Sequence, residues 1–507
     1  MTLLLIILSL VFFSLISSFF PKCKKVFICI SIFVVISFYL FLSTNIFHTE
    51  SFLPKKDFKC YIVCFNYYNI LMDSFKKGNL YLAEYKEQIQ YKEEETTLKA
   101  THNFGNKNKI SFYLLDTSFY KNHLYLYFGI TPVLLFYLPF NLITTLYLTD
   151  KFLVFILSCF IFLLSLFLIK KILENLTDIS KISPYIIILS IFTVGFCNLL
   201  PFLIMRSAIY EVAITTSVFL LLIVLCLFYY YTVNRDNIKL KYILIFFISL
   251  FLCLSVGARP NNVFLIPFFF FSIIYLEYKE NKNFKKLLKS SLIFLVPCIV
   301  YGTILALYNY LRFDSIFEFG LKYQINKHEF IHFTFKLKDS IVNLKQVFFN
   351  FPNINLTTLF SLAPTKGHSL GNEHITGFLW TYPLTFILLL LPNYLKQICK
   401  KNTNCYIFVL LAITIVVVNL IFTSFFGILL RYIFEYLFLV VILSFIMFLF
   451  YLNETDNKFL KNYAIVLFTI IFIYMVFINT SLLFCKENSF CIDSSSISYT
   501  KLIKFLF

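Results

Sequence analysis

Arginine and glutamate residues stand in three short gaps between long apolar segments of the chain. Arg206 and Glu211 lie in LPFLIMRSAIYEVAI, Arg259 lies in SVGARPNN, and Arg431 lies in FGILLRYIFEY, one helical turn before Glu435. Ionised groups beside hydrocarbon are costly unless they are paired or functional. Arginines in such gaps could stabilise the charge of a phosphate or diphosphate leaving group. Structural ion pairs, between Arg206 and Glu211 or between Arg431 and Glu435, are the alternative.

A carboxylate that could accept a proton occurs in YLLDTSFYKNHLYLYFGITPVLLFYLPF. Asp116 of this stretch precedes a predicted amphipathic helix at the membrane surface, where a general base could take the proton of an acceptor hydroxyl. The alternative role of Asp116 is to cap a turn beside Thr117 and Ser118. Asp73 lies on a predicted surface helix, where a solvated carboxylate is the commoner outcome.

A second polar stretch, YNYLRFDSIFEFGLKYQI, combines charged and aromatic residues. Arg312, Asp314 and Glu318 with these aromatics could hold a sugar or polyol by stacking and hydrogen bonding. A packed surface helix whose aromatic residues face the bilayer is the alternative. His328 and His332 are four residues apart and could share a helix face, but the sequence shows neither an intervening Glu nor a third ligand. We therefore predict no metal site and no cofactor, with a divalent cation as the alternative left open.

The composition indicates a protein embedded in a membrane. The 507 residues are 60% hydrophobic and 14% charged, with a mean hydropathy of +0.82, which leaves too little polar surface for a soluble domain. The net charge of +18 is spread over short joints and forms no basic groove, so we predict no nucleic-acid partner. The sequence contains no G-x-x-x-x-G-K-[ST], G-x-G-x-x-G or G-x-S-x-G motif, which argues against ATP hydrolysis, dinucleotide chemistry and serine-esterase chemistry.

Apolar segments of spanning length predict an all-α polytopic protein with about twelve transmembrane helices. The spans are predicted near 3–20, 26–46, 152–170, 183–204, 209–230, 242–257, 263–277, 291–309, 379–395, 405–425, 431–451 and 462–484. One further apolar stretch, 124–143, contains Gly129, Pro132 and Pro139 and is ambiguous.

The positive-inside rule decides how the stretch 124–143 is placed. If it lies along the interface without crossing, the cytoplasmic joints carry 19 Lys and Arg residues and the short opposite joints carry only 4. If it crosses, the basic stretch EYKENKNFKKLLK faces outward. We therefore predict an interfacial helix over 124–143, both termini outside, and two long polar segments, 47–123 and 310–378, sharing the outer face.

The predicted organisation follows from these spans. It comprises N-terminal spans, a first extracytoplasmic loop with the juxtamembrane helix, a central set of spans, a second extracytoplasmic loop, C-terminal spans and an outer tail: 1–46, 47–151, 152–309, 310–378, 379–484 and 485–507. Two cysteine pairs, Cys60 with Cys64 and Cys485 with Cys491, fall in polar outer segments and could oxidise there.

The order of these elements resembles the GT-C superfamily of integral-membrane glycosyltransferases. The resemblance rests on LLDTSFYKNHLYLYFGITPVLLFYLPF, MRSAIYEVA, GARPNN and NYLRFDSIFEFGLKYQ, within about residues 60–450. In bacterial members the first of these typically reads D-x-S-x-Y followed by YLYFGP-x-P. The family includes dolichyl-phosphate-mannose protein mannosyltransferases and the lipid A aminoarabinose transferase.

The resemblance implies transfer of a sugar from a polyprenyl-phosphate donor to a lipid, glycan or protein acceptor, at the outer face of a bacterial cytoplasmic membrane. It makes Asp116 the catalytic carboxylate. The residues it assigns to the donor phosphate or substrate are Arg206, Glu211, Arg259, Arg312, Arg431, Tyr120 and Tyr127.

Some positions depart from the pattern of the family. Asn66, Tyr67 and Tyr68 stand where many relatives have an acidic residue before aromatics, no D-x-D pair follows the early spans, and Gly129-Ile130-Thr131-Pro132 replaces a Lys-Pro-Pro. These departures leave open a member without catalytic activity. Two other functions also remain open: a surface-polysaccharide polymerase or ligase, and a transporter of a lipid-linked glycan, although the sequence lacks the paired repeats and mid-membrane charges typical of transporters.

Overall fold

The protein is described here from a computed structural model. The structure describes residues 2–44, 53–54, 67–82, 117–324, 337–351, 376–426 and 429–483. Asp116, the predicted base, lies outside these residues. So do His328 and His332, and the cysteines Cys60, Cys64, Cys485 and Cys491.

The described chain is a bundle of long helices joined by short turns. In chain order the helices are α1 Thr2–Phe19, α2 Lys24–Thr44, α3 Tyr67–Lys76, α4 Leu138–Thr144, α5 Asp150–Leu176, α6 Pro184–Phe196, α7 Leu200–Arg206, α8 Ile209–Val233, α9 Ile238–Val256, α10 Ile266–Asn281, α11 Phe284–Phe313, α12 Leu337–Phe349, α13 Phe378–Thr381, α14 Leu391–Lys401, α15 Thr403–Phe426, α16 Leu430–Glu454 and α17 Lys458–Leu483. Ten helical segments of the described chain are long and apolar enough to cross a membrane. This confirms the prediction of an all-α polytopic membrane protein.

Two of the twelve predicted spans differ from the other ten. The first is a shorter apolar helix, Leu3–Phe19. The predicted span 379–395 is broken into α13, a 3-10 segment Pro383–Leu390, and α14. Prolines at the start of the last two pieces remove helix donors, and α14 carries lysines in its last turn, which makes a continuous apolar helix unfavourable here.

Side-chain contacts show which joints share an end of the bundle. Arg206, Arg259 and Arg431 lie at one end, which we call the arginine end, because Arg431 contacts the ring of Tyr210, close to Arg206 in the sequence, and Arg259 contacts Glu435, close to Arg431. At the other, the lysine end, Arg235 Nη2 donates to Asn404 Oδ1 over 3.2 Å, and Lys401 Nζ lies 2.6 Å from Glu454 Oε1. Alternate joints therefore meet at the same end, as the alternating charge pattern predicted.

The segment between α2 and α5 leaves and returns at the arginine end. The hydroxyl of Tyr39, near the end of α2, donates to the carbonyl of Gly195 over 2.7 Å, near the end of α6 that leads to Arg206. The chain comes back into the bundle at Asp150, the first residue of α5. Within 124–143 the helix Val133–Thr144 is shorter than a membrane span, and the placement of this stretch along the interface stays a prediction.

The prediction that the whole of 124–143 is helical is wrong in its first part. Residues Leu124 to Leu126 belong to strand β2 (His123–Leu126), and helix begins only at Thr131, with a π-helical turn over Val133–Tyr137 that continues into α4. The alternation of side chains over the strand favours β structure there. The wider π turn fits Pro139, which offers no hydrogen-bond donor and would clash with the preceding turn of an α-helix.

Strand β2 forms a hairpin with β1 (Thr117–Tyr120), closed by Lys121 and Asn122, whose φ angles of 46° and 61° are those of a tight primed turn. The hairpin packs on the second outer segment, because Ser118 Oγ donates to the carbonyl of Gly320 over 2.8 Å. At Gly320 φ is 95°, and a Cβ would overlap Ser118 Oγ, so glycine is required on both grounds. The described parts of the two outer segments therefore pack together.

Candidate functional site

Arg259 is held at the arginine end by a glutamate from another helix. It follows the end of α9 and precedes the 3-10 segment Pro260–Leu265. Its Nε lies 2.5 Å from Glu435 Oε1 on α16, and the side chains are 17% and 7% exposed. Burial acts to lower the pKa of Arg259, but Glu435, Tyr432 and Tyr127 outweigh it and raise that pKa above its usual value. The guanidinium is thus a fixed positive charge.

Arg431 approaches the same place from the start of α16. The centre of its guanidinium lies 4.2 Å from the ring centroid of Tyr210 and 5.4 Å from that of Tyr432. The Arg259 guanidinium lies 4.8 Å from the ring of Tyr432 as well. The ring of Tyr432 is therefore in contact with two guanidinium groups, each within the distance of a cation–π interaction. The sequence suggested pairing of Arg431 with Glu435, whereas the structure pairs Glu435 with Arg259.

Arg206 and Glu211 form the ion pair that the sequence allowed as a structural alternative. Arg206 Nε lies 3.1 Å from Glu211 Oε1, and the side chains are 6% and 0% exposed. Glu211 Oε2 also accepts from the backbone N–H of Ala208 over 3.1 Å, which caps the start of α8. These contacts give Glu211 a positioning role in the joint between α7 and α8.

A buried amide network lies behind the Arg259–Glu435 pair. The Nδ2 group of Asn261 donates to Glu435 Oε2 and to Asn419 Oδ1, each over 2.9 Å. The next residue, Asn262, donates to Ser217 Oγ over 2.7 Å. These bonds fix Glu435 and therefore the position of Arg259. The two asparagines stand directly after the proline of GARPNN, a position that is typical of a polar turn between spans, and were not among the predicted site residues.

The segment 127–131 docks on the joint that carries Arg259. The backbone N–H of Thr131 donates to the carbonyl of Gly257 over 3.2 Å, and a Cβ added at Gly129 would overlap that carbonyl oxygen. Phe128 packs edge-on against Tyr210, with centroids 5.0 Å apart. Two sequence motifs far apart in the chain, LYFGITP and VGARPNN, therefore meet directly. The contact brings Tyr127 close enough to act on the pKa of Arg259.

Arg312, predicted to bind substrate, holds the end of α11 against the hairpin. Its Nη1 donates to the carbonyl of Leu126 over 3.0 Å, and its Nη2 donates to Asn309 Oδ1 over 2.7 Å. Its guanidinium also lies 3.8 Å from the ring centroid of Tyr308. These contacts favour a structural role, because they engage the guanidinium with the protein itself.

Tyr120, another predicted substrate residue, joins an exposed cluster on the hairpin. Its hydroxyl donates to Asp314 Oδ2 over 2.8 Å, and Lys121 Nζ lies 2.5 Å from the same oxygen. The hydrogen bonds from Lys121 and Tyr120 lower the pKa of Asp314. Glu318 accepts from the backbone N–H of Gly320 over 2.7 Å, so it stabilises a turn. These contacts of Asp314 and Glu318 do not involve Arg259 or Arg431.

A buried carboxylate that sequence analysis missed is Asp150. It is 3% exposed at the start of α5, and the hydroxyl of Tyr137 donates to its Oδ1. The ring of Tyr68 stacks on Tyr137, with centroids 5.3 Å apart. In the sequence, Thr149 and Asp150 stand at the start of an apolar run. This pattern is also typical of an ordinary helix N-cap, so it does not indicate a buried carboxylate.

The remaining predictions concern other carboxylates and metal ligands. Asp73 accepts a hydrogen bond from the hydroxyl of Tyr147 over 3.0 Å and so fixes α3 to the chain before α5. Thr117, the residue after Asp116, is fully buried and pairs with Leu126 in the hairpin. Within the described residues, no group of three or more His, Cys, Asp and Glu side chains could hold a metal ion.

Comparisons with known proteins yield structural matches only. No protein-family model matches the chain. No curated protein sequence matches it either. Similar solved structures include the oligosaccharyltransferase of Archaeoglobus fulgidus in the apo form, with a TM-score of 0.47 at 12% identity. They also include the archaeal oligosaccharyltransferase AglB of the same organism in complex with an inhibitory peptide and a dolichol-phosphate, with a TM-score of 0.42 at 11% identity. Each match covers 94% of this chain but only 59% of the other, so the chain spans about three fifths of the length of these structures.

Proposed function

We propose that this chain is a membrane-embedded glycosyltransferase, which moves a sugar from a polyprenyl-phosphate-linked donor to a lipid, glycan or protein acceptor at the arginine end. The observation that carries the proposal is the pair of guanidinium groups, Arg259 and Arg431, on the ring of Tyr432. Arg259 lies in the joint between two helical segments of spanning length, and Arg431 is the second residue of another, so both are near helix ends where a lipid phosphate could bind.

The charge arrangement suits a departing polyprenyl phosphate. Guanidinium groups stay protonated at any physiological pH and bind phosphate oxygens in a planar, bidentate geometry. A site with little water strengthens each such contact. Glu435 and the Asn261 amide hold Arg259 in place before a ligand arrives, which reduces the reorganisation needed when charge develops.

The reaction also needs a group that takes the acceptor proton. The oxygen of the acceptor hydroxyl forms a bond to the anomeric carbon, the bond from that carbon to the phosphate oxygen breaks, and the polyprenyl phosphate leaves with the electron pair. We assign the acceptor proton to the carboxylate of Asp116. Two contacts support this assignment. Thr117, the residue after Asp116, pairs with Leu126 in the hairpin. The residue after Leu126 is Tyr127, which lies close enough to Arg259 to raise its pKa.

The test is a transfer assay with purified protein in lipid nanodiscs. Radiolabelled polyprenyl-phosphate mannose, glucose and galactose are supplied with membrane lipid and peptide acceptors, and release of polyprenyl phosphate is followed. Arg259→Ala and Arg431→Ala should each reduce turnover by about 100-fold or more, the usual loss for one preorganised charge-stabilising donor. The matched control is Arg235→Ala, which removes an arginine at the lysine end that is bonded to Asn404.

Several outcomes would count against this function. The proposal fails if the parent protein transfers none of these sugars, or if Arg259→Ala loses no more activity than Arg235→Ala. A parallel reaction with a polyprenyl-diphosphate oligosaccharide separates the polymerase or ligase alternative. Turnover of that donor alone would replace the proposed function with the alternative.

A further inference from the structure

Two buried tyrosine hydroxyls lie between the first outer segment and the bundle. Tyr68 on α3 is 0% exposed, and Tyr308 on α11 is 8% exposed. Among the described residues, neither phenol oxygen has a hydrogen-bond partner. A buried polar group without a partner is unfavourable for folding and is uncommon in native proteins. Such groups are expected where a ligand completes the hydrogen bonding.

Both rings are held in fixed positions by their neighbours. The ring of Tyr68 stacks on Tyr137 at an interplanar angle of 30°, and Tyr137 is itself fixed by its hydrogen bond to Asp150. The ring of Tyr308 lies against the Arg312 guanidinium and meets Phe75 of α3 edge-on, with centroids 6.3 Å apart. The two hydroxyls are therefore presented by rigid side chains from facing elements.

Charges of both signs act on the Tyr68 hydroxyl. Burial is the largest cause that raises its pKa well above the usual value, Asp150 and Tyr308 raise it further, and Arg259 lowers it. Tyr68 thus stays protonated and neutral, within reach of the charges of a carboxylate and of a cation. The negative charge of Asp150 disfavours an anion at this point and favours a neutral group that can both donate and accept hydrogen bonds.

We propose that Tyr68 and Tyr308 form a subsite for the hydroxyl groups of the donor sugar, next to the phosphate position at Arg259. The inference rests on the proposed function and names the part of the site that reads the sugar. A sugar hydroxyl can accept from one phenol while it donates to the other, which neither a phosphate dianion nor a hydrocarbon tail can do.

The experiment compares binding of donors with and without a sugar. The probes are short-chain polyprenyl-phosphate mannose, glucose and galactose, and sugar-free polyprenyl phosphate, each titrated into the protein in nanodiscs. Tyr68→Phe and Tyr308→Phe should each weaken binding of the preferred sugar-bearing donor by about threefold to tenfold, the effect of one neutral hydrogen bond. Binding of the sugar-free lipid should be unchanged.

A matched control is Tyr382→Phe. Tyr382 is also 0% exposed, and its hydroxyl likewise has no hydrogen-bond partner among the described residues. It should change binding of neither lipid. Because Tyr68→Phe removes a buried hydroxyl without a protein partner, the melting temperature should stay equal or rise. A loss of sugar-donor affinity without a loss of stability therefore cannot be attributed to misfolding.

The outcomes separate this subsite from the proposed function. If the parent prefers a sugar-bearing donor and Tyr68→Phe retains that preference, the subsite is wrong and the function stands. If the parent binds the sugar-free and sugar-bearing lipids equally, no sugar subsite exists. If it binds none of the polyprenyl phosphates better than an ordinary phospholipid, the function and the subsite fail together.

Discussion

Glu435 Oε1 lies 2.5 Å from Arg259 Nε and joins α16 to the turn after α9, which is far away in the sequence. The same carboxylate accepts from Asn261, two residues after Arg259, so the turn is tied to α16 at two positions. A break between two spans frees polar backbone groups, and such a break is tolerated only where protein groups or water satisfy them. The pair therefore stabilises the turn and positions the cation at once.

The first prediction concerns the stability that this pair contributes. Glu435→Gln should destabilise the protein by about 3 kcal/mol, because it leaves the buried charge of Arg259 uncompensated. The measurement is unfolding in mixed detergent micelles. The control is Glu174→Gln, which breaks a more exposed pair with Lys171 of 2.8 Å and should cost less than about 1 kcal/mol. If both variants lost the same free energy of unfolding, the Arg259–Glu435 pair would contribute no more stability than an exposed ion pair.

The second prediction concerns the contact between Gly129 and Gly257. Gly129→Ala should destabilise the protein by about 1–3 kcal/mol and reduce sugar transfer, because its Cβ would overlap a backbone carbonyl that cannot move freely. Gly302→Ala is the control, since a Cβ there meets no atom within 4 Å among the described neighbours. Thermal melting of both variants checks this. Retention of the parental melting temperature by Gly129→Ala would contradict the close approach.

The third prediction concerns which residues share a side of the membrane. Lys282→Cys, between α10 and α11, and Lys121→Cys, at the tip of the hairpin, are placed in a background without native cysteines. Both positions are exposed, and the described helices place them at opposite ends of the bundle. An impermeant thiol reagent added to intact cells should label residue 121 and spare residue 282. Labelling of both from outside would refute the alternation of spans.

The fourth prediction concerns the pH response of the hairpin. The folded-state pKa of Asp314 lies below its ordinary value, so the contacts with Lys121 and Tyr120 stabilise the hairpin above about pH 4, the unfolded pKa. They are lost as the pH falls through the lower folded pKa. Amide hydrogen exchange in Thr117–Tyr120, corrected for the intrinsic pH effect, should therefore show constant protection between pH 5 and 8.

Asp314→Asn provides the control for this pH response. It removes the charge that the two donors contact, so protection at pH 7 should fall to the level that the parent shows only in acid. If the parental hairpin instead lost protection between pH 7 and 5, a group other than Asp314 would control it.

The sequence was sufficient for features that depend on hydropathy and charge. The helical segments of spanning length follow from hydropathy, and the Arg206–Glu211 pair follows from local spacing. The partner of Glu435 could not be predicted in this way. A glutamate one turn after Arg431 offers a local pair, whereas the contact of Glu435 with Arg259 depends on how the turn after α9 packs against α16. Asp150 was missed for a similar reason, because its burial depends on Tyr137 from a segment without long-range signals.

The last prediction assigns the acceptor proton to Asp116. Asp116→Asn keeps the size of the side chain but removes its basicity, and general-base catalysis is worth about 10²–10⁴-fold. The rate of sugar transfer should fall by that factor, while affinity for sugar-free polyprenyl phosphate stays at the parental value, since the arginines that hold the phosphate are unchanged. This separation of turnover from binding distinguishes loss of a base from loss of the fold.

Asp178→Asn is the matched control for Asp116→Asn. Asp178 accepts from the hydroxyl of Ser180 over 2.6 Å in the joint after α5, at the lysine end, so its substitution should leave transfer unchanged. Parental turnover in Asp116→Asn would remove Asp116 from the mechanism. The carboxylates Asp73, Asp314 and Glu318 would then be tested in the same assay. Asp73 would come first, because α3 places it on the same helix as Tyr68, whereas Asp314 is engaged by Lys121 and Glu318 by the turn at Gly320.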